Sequence, residues 1–237
     1  MSNSTFEASF EDSAALGAAD EIARSPWVVL KFGGTSVSTA ESWATIAQIV
    51  QNRIDAGLQP LIVHSALKGV SNTLESVLEH AVAGSSSTLL EELRTQHFTL
   101  AEELGLDGKA LLGDTLHELE QLVAGARLVR EVSVRVRVRI MALGELMSTR
   151  LGAQYLNARG IATEWADARE LLTSETRGGR RDERSYLSAT CGFDANDELA
   201  ARLKSFGKVV LTQGFIARND RGETVLLGRG GSDTSAA

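Results

Sequence analysis

Apolar positions along the chain fall into two rhythms. Trp27-Val28-Val29-Leu30-Lys31-Phe32 is a short, β-branched apolar run that ends on Gly33-Gly34. That is the pattern of a buried strand running into a glycine loop. Ser38 or Thr39 then offers a cap for a helix through about Ala56, with Trp43, Ile46, Ala47 and Val50 on one face and Gly57 to end it. Pro60-Leu61-Ile62-Val63-His64-Ser65 is a second buried strand. A strand, a helix and a strand of these lengths predict a right-handed βαβ unit and a parallel sheet.

From Ser71 to about Gly125 the rhythm is helical. Leu74, Val77, Leu78 and Ala81 recur at three- and four-residue spacing, as do Leu89, Leu90, Leu93 and Phe98, then Leu111, Leu112, Leu116, Leu119 and Leu122. Gly84-Ser85-Ser86-Ser87 and Gly105-Leu106-Asp107-Gly108 punctuate the segment, which reads as a helical lid or subdomain over the sheet. Val134, Val136 and Val138 alternate with Arg135, Arg137 and Arg139, which is a strand period. The segment nevertheless runs unbroken into Met141-Ala142-Leu143-Gly144-Glu145-Leu146-Met147, so a helix from about Arg135 to Ala158 is predicted. Further on, a strand starts at Gly160-Ile161-Ala162-Thr163, a mobile basic loop runs from Thr173 to Ser185, and a helix spans Asp194 to Lys204. Lys208 to Thr212 is a strand of the central sheet, and Ile216 to Leu227 is a hairpin turning at Asn219-Asp220-Arg221-Gly222.

Composition narrows the function. The 237 residues are 43% hydrophobic and 23% charged, enough for one large core or two small ones. A net charge of −7 and 5% aromatics give no general attraction to nucleic acid or anionic membrane. Any phosphate ligand must be held by a local site. The single cysteine, Cys191, excludes an internal disulfide and reads as a small buried hydrophobe. His64, His80, His97 and His117 lack metal-ligand spacing and read as structural. No apolar run is long enough to span a bilayer. Residues 1–25 have neither the basic start nor the apolar centre of a signal peptide. They read as a flexible tail on a cytoplasmic protein, ahead of a domain over residues 26–237.

Three glycine-rich segments follow apolar runs and carry charge. Lys31-Phe32-Gly33-Gly34-Thr35-Ser36 suits phosphate, since glycines let backbone N–H groups approach oxygens and the ammonium offsets developing charge; a solvated lysine beside a βα turn fits it as well. Gly144-Glu145-Leu146-Met147-Ser148-Thr149 puts a carboxylate on an apolar helix face, costly if buried without a partner, and ordinary if exposed. Leu227-Gly228-Arg229-Gly230-Gly231-Ser232-Asp233 ends a strand and begins a small-residue stretch, where Ser232 or Asp233 would cap a helix beside an arginine. Neither the P-loop pattern nor a G-x-G-x-x-G after a strand is present.

In this order the segments resemble aspartate kinases of the amino-acid kinase superfamily. Lys31 to Ser36 resembles the family's opening motif. His64-Ser65-Ala66 through Gly69-Val70-Ser71-Asn72 is similar to its second loop, although Leu67-Lys68 is bulkier and more charged than usual there. Gly144-Glu145, Thr212-Gln213-Gly214-Phe215-Ile216 and Leu227 to Asp233 resemble three further motifs. The resemblance implies an α/β fold, a three-layer α/β/α sandwich on a mostly parallel sheet, and transfer of the γ-phosphoryl group of ATP, with Mg²⁺, to the β-carboxylate of L-aspartate. That reaction opens lysine, threonine and methionine biosynthesis.

By the same resemblance Lys31 sits at the transferred phosphoryl group. Gly33, Gly34, Ser65, Gly230 and Gly231 line the phosphate path. Arg229 pairs with the substrate α-carboxylate, Glu145 holds the α-ammonium, and Ser71, Phe215 and Ser232 shape the amino-acid pocket. Asp233 orients either Lys31 or the ammonium. No residue is assigned as a dedicated metal ligand, and a homo-oligomer is expected of the complete protein. The family continues beyond its matching motifs, so the chain is expected to be a carboxy-terminally truncated catalytic domain, inactive alone, whose stub after Gly231 is too short for a stable helix. A glutamate-type kinase and a non-catalytic amino-acid-sensing module are the competing readings.

Overall fold

The computed structural model describes residues 26–175, 183–192, 194–228 and 231–237. Its centre is a four-stranded sheet of β1 (Trp27–Phe32), β2 (Gln59–His64), β3 (Thr163–Trp165) and β4 (Val209–Gln213). The strand order is β1-β2-β4-β3 and every pairing is parallel. β4 is buried throughout, whereas β1 lies at an edge with Val29 43% exposed. The chain passes from β1 through a 3₁₀ turn (Gly34–Val37) into helix α1 (Ala40–Asp55) and back to β2. Thr39 caps α1 by accepting from the Ser42 amide, and Trp43, Ile46, Ala47 and Val50 are its buried face, as the periodicity predicts.

Helices α2 (Val70–Ala83), α3 (Ser87–Glu103) and α4 (Gly108–Val129) fill the segment read as helical. They pack on one another and on α5 (Val134–Ala158), which also contacts β3 and β4. Being covered from both sides, α5 is buried continuously from Ile140 to Thr149. Two of its residues must be small. A Cβ on Gly144 would lie 2.9 Å from Val70, and one on Gly152 only 2.2 Å from the ring of Trp43. The strand-like valine–arginine alternation at its start folds as helix for two reasons. Ser133 caps it through the Val136 amide, and Arg135, Arg137 and Arg139 reach Glu223, Glu75 and Glu118 on other elements.

Past α5 the expectations need adjusting. The third strand begins at Thr163, because Gly160 takes a left-handed turn (φ 81°) and Ile161 packs into the core first. Helix α6 (Ala168–Leu171) follows, capped by Asp167. The segment read as a mobile loop is ordered at both ends: Thr173 and Ser174 bridge to Arg218 and Cys191, and Glu183–Leu187 forms helix α7. Its Arg177, Arg180 and Arg181 lie outside the described residues. Cys191 is half-buried, packed against the core edge rather than inside it. Helix α8 (Asp197–Ser205) is capped by Asn196. Strands β5 (Ile216–Arg218) and β6 (Thr224–Leu226) make the expected hairpin. The chain ends in helix α9 (Gly231–Ala236), which packs on β1 and β2. Among the described residues no helix is long and apolar enough to cross a membrane.

Candidate active site

Parallel strands deliver their following loops to one end of the sheet, the usual place for a ligand. Here the loops after β1, β2 and β4 meet there, with α9 laid across them. Lys31, the penultimate residue of β1, pairs with Asp233 of α9 at 2.7 Å. Ser65, just past β2, shares a 3.0 Å hydrogen bond with Ser232. Ser235 Oγ donates to the Gly214 carbonyl just past β4. The loops fit because glycines let them close: a Cβ on Gly34 would lie 2.7 Å from the Ala66 carbonyl oxygen, and one on Gly214 2.6 Å from Ser232 Oγ. Gly33 has open space above it.

These contacts correct two expectations. Ser232 and Asp233 do not cap a helix but lie inside its first turn, and the helix expected to be unstable is present. Isolated, six residues could not repay nucleation. Here the Ser65 and Gly214 contacts hold them against the strand ends. The Lys31–Asp233 pair is not a stability device. Their side chains are 34% and 72% exposed, and an ion pair that open to solvent contributes little. What it does is fix the position of the ammonium.

Glu145 approaches from α5 and is 3% exposed. Burial pushes its carboxyl up to about 7, against which the Ala66 and Gly214 amides act. Oε2 has no hydrogen-bond partner. A buried carboxyl with unused acceptor capacity, at the strand ends, has room for a donor or a cation to satisfy it. Ser71 stands in the first turn of α2, beside Val70, which packs on Gly144. Phe215 is half-buried, and its carbonyl accepts from the Leu227 amide, tying the β4 loop to the hairpin. Leu67 turns into the core, and Lys68 projects outward while its amide donates to Ser38 Oγ at 2.8 Å. The unusual pair is therefore absorbed without moving the loop's backbone off Gly34. Arg229 and Gly230 lie outside the described residues, and Gly231 opens α9.

Motif reading quoted the polar groups behind this site but gave them no role in it. Gln213, fully buried, accepts from the Ala168 amide at 2.7 Å and donates to Thr149 Oγ1 at 2.9 Å. Trp165 Nε1 donates to the same hydroxyl, which donates to the Glu145 carbonyl. Thr149 thus spends its full capacity locking α5 to β3 and β4. His64 and Ser148 both reach the Ser65 carbonyl. Burial without a partner on Nε2 pushes His64 down to about 4, so it is neutral. The available signal was the spacing of Ser148 and Thr149 from Glu145, three and four residues, which puts them on the same helical face.

The sequence profile of the amino acid kinase family matches residues 26–237. The chain belongs to that family. Its curated relatives include the lysine-sensitive aspartokinase 3 of Escherichia coli, 33% identical over 215 residues, which cover 89% of this chain and 45% of that protein. The chloroplastic aspartokinase 3 of Arabidopsis thaliana is 34% identical, over 88% of this chain and 37% of the relative. The chain therefore spans less than half the length of these relatives. Among solved structures, E. coli aspartokinase III in complex with aspartate and ADP superposes with a TM-score of 0.72 at 32% identity, over 86% of this chain and 44% of the other. The aspartate kinase of Clostridium acetobutylicum, at 18% identity and a TM-score of 0.60, shares the amino acid kinase fold.

Proposed function

We propose that the protein is an aspartate kinase that transfers the γ-phosphoryl group of ATP to the β-carboxylate of L-aspartate. The observation that carries this is the buried Glu145 carboxyl with its unpartnered Oε2, opening on the loops that hold Lys31, Ser65 and Ser232. An amino acid needs a buried anion for its ammonium, and a phosphoryl donor needs a fixed cation over glycine loops. The likeness to an aspartokinase solved with aspartate and ADP supports both halves of the reading.

In this reaction an oxygen of the aspartate β-carboxylate attacks the γ-phosphorus, the bond to the β–γ bridging oxygen breaks, and ADP leaves with that electron pair. A β-carboxylate is ionised at neutral pH, so no general base is required. Catalysis is then positioning and charge stabilisation. Glu145 takes the α-ammonium, and Arg229 takes the α-carboxylate as a planar fork. Ser71, Phe215 and Ser232 bound the side-chain pocket. Lys31 faces the transferred phosphoryl group, and Gly33, Gly34, Ser65, Gly230 and Gly231 line its path. The 2.7 Å pair favours Asp233 as the group that orients Lys31 over one that binds the ammonium. Mg²⁺ enters with ATP. That ion would be held largely by phosphates and water.

The test is hydroxylamine trapping of acyl phosphate by the complete protein with ATP and Mg²⁺, L-aspartate against L-glutamate. Hydroxamate formed with aspartate, at least ten-fold less with glutamate, and lost in Lys31→Ala while aspartate still binds, is the expected result. Preference for glutamate, or undiminished product from Lys31→Ala, would overturn it.

A further inference from the structure

Two hydrogen bonds converge on one carbonyl beside the site. His64 Nδ1 lies 2.9 Å from the Ser65 carbonyl oxygen, and Ser148 Oγ donates to the same oxygen at 3.1 Å. A carbonyl only accepts, so His64 carries its proton on Nδ1. The ring is held in that orientation by Trp43, edge-on at 5.3 Å, and by α5, where a Cβ on Gly152 would lie 3.0 Å from Nε2. On the far side of the same trans peptide the Ala66 N–H points the opposite way. It acts on the Glu145 carboxyl.

Glu145 and Ser148 are three residues apart on α5, so one helical face meets both sides of the Ser65–Ala66 peptide. The Ser148 hydroxyl takes its C=O, and a Cβ on Gly144, next to Glu145, would lie 3.4 Å from the Ala66 Cβ, so the N–H side of the peptide rests on the same face. Donors on a carbonyl polarise the peptide and strengthen its N–H. The behaviour of Ser148 is unusual for a serine inside a helix, whose hydroxyl normally bonds back to its own preceding turn. Its neighbour Thr149 does that, donating to the Glu145 carbonyl at 2.8 Å. Ser148, 1% exposed, crosses instead to a loop 83 residues away in sequence.

We propose that Ser148, backed by His64, is a positioning residue of the substrate site: it fixes the Ser65–Ala66 peptide so that the Ala66 N–H holds the Glu145 carboxyl in place for the α-ammonium of the amino acid. The consequence for substrate rests on the role given to Glu145 above; the peptide clamp does not.

The test compares Ser148→Ala and Ser148→Thr with the parent in the complete protein. Alanine is a good helix former, so the first variant keeps α5 while deleting the donor, and the second keeps a hydroxyl. Amide hydrogen exchange in the ligand-free protein reads the clamp, and L-aspartate and ATP are titrated separately. Ser148→Ala should exchange the Ala66 amide about ten-fold faster and bind aspartate about five-fold more weakly, the loss of one hydrogen bond, with a loss under about two-fold for ATP, whose path Ser65 lines by its side chain. Ser148→Thr should restore both. Equal losses for aspartate and ATP would mark a general loosening and overturn the inference, as would unchanged Ala66 exchange. Glu145→Gln separates the two claims. If it leaves aspartate binding intact while Ala66 exchange follows Ser148, the clamp stands and the role of Glu145 falls. If it abolishes aspartate binding while aspartate affinity ignores Ser148, the positioning role falls alone.

Discussion

Replacing Glu145 by glutamine should make the ligand-free protein more stable, relative to the parent, as pH rises. Burial lifts the carboxyl from its ordinary 4.5 to about 7. Between those values the unfolded chain has released the proton and the folded chain still holds it, so folding stability falls as pH rises through the window. Above pH 7 the fold carries an ionised, partly unsatisfied carboxylate, at a cost of roughly 3 kcal/mol relative to the unfolded chain. Glutamine cannot ionise and escapes that slope. Its amide brings a separate penalty of about 1–2 kcal/mol, because its donors meet the Ala66 and Gly214 N–H groups, but this does not vary with pH. The diagnostic quantity is therefore the change in the difference: Glu145→Gln minus parent should grow in favour of the variant by about 2–3 kcal/mol between pH 5 and pH 8. Urea unfolding followed by circular dichroism at the two pH values measures it. L-Aspartate at saturating concentration should shrink the gain at pH 8, since its ammonium satisfies the parent carboxylate and not the amide. A difference independent of pH would show that Glu145 ionises as an ordinary surface carboxyl, and the cation-receptor argument would fail with it.

Acid should expose the buried histidines. His97 is held neutral inside the helices with its pKa lowered by burial to about 4, so between 6.5 and 4 the unfolded chain gains a proton that the fold refuses and stability is lost as pH falls. His97→Leu should remove up to about 3 kcal/mol of that acid sensitivity, read from urea midpoints at pH 7 and pH 4.5; an unchanged slope would refute it. Gly152→Ala should destabilise by about 2–3 kcal/mol, since its Cβ would overlap the Trp43 ring and α5 has no free side to move into; thermal melting checks this, and a loss under about 0.5 kcal/mol would contradict the packing. Gly214→Ala should push α9 off the strand ends, because the added Cβ would fall 3.0 Å from Ser232 Cα as well as on its hydroxyl. Hydroxamate formation should drop at least ten-fold while the melting temperature moves by only a few degrees, and preserved turnover would show that the Lys31–Asp233 pair does not depend on that approach.

Much of the fold was legible because its signals are local. Trp43, Ile46, Ala47 and Val50 mark the buried face of α1 by spacing alone, and the apolar runs of β1, β2 and β4 are short enough to be strands. The start of α5 was ambiguous by period and resolved by continuity, since Ile140 to Met147 could only be helix. Errors appear where tertiary contact outweighs local tendency. Thr163 replaces Gly160 as the start of β3 because Ile161 turns inward first. Helix α9 fails every isolated-helix argument, yet forms because the loops after β2 and β4 supply its partners. The site divides the same way. Lys31, Glu145 and Ser232 announce themselves by charge or by glycine neighbours. Ser148, Thr149, His64 and Gln213 do not, although each stands in a quoted motif, because each has a partner on another element. In sequence Ser148 is a small residue in an apolar helix, and only the fold shows its hydroxyl leaving that helix. What the motifs specify is therefore the groups proposed to meet a ligand. The groups that hold them still are specified by packing: Trp43 against Gly152 sets His64, His64 with Ser148 sets the Ser65 carbonyl, and that peptide in turn faces Glu145. A substitution at Gly152 should accordingly reach the Glu145 carboxyl through three contacts without touching it, which no inspection of the glycine-rich motifs would anticipate.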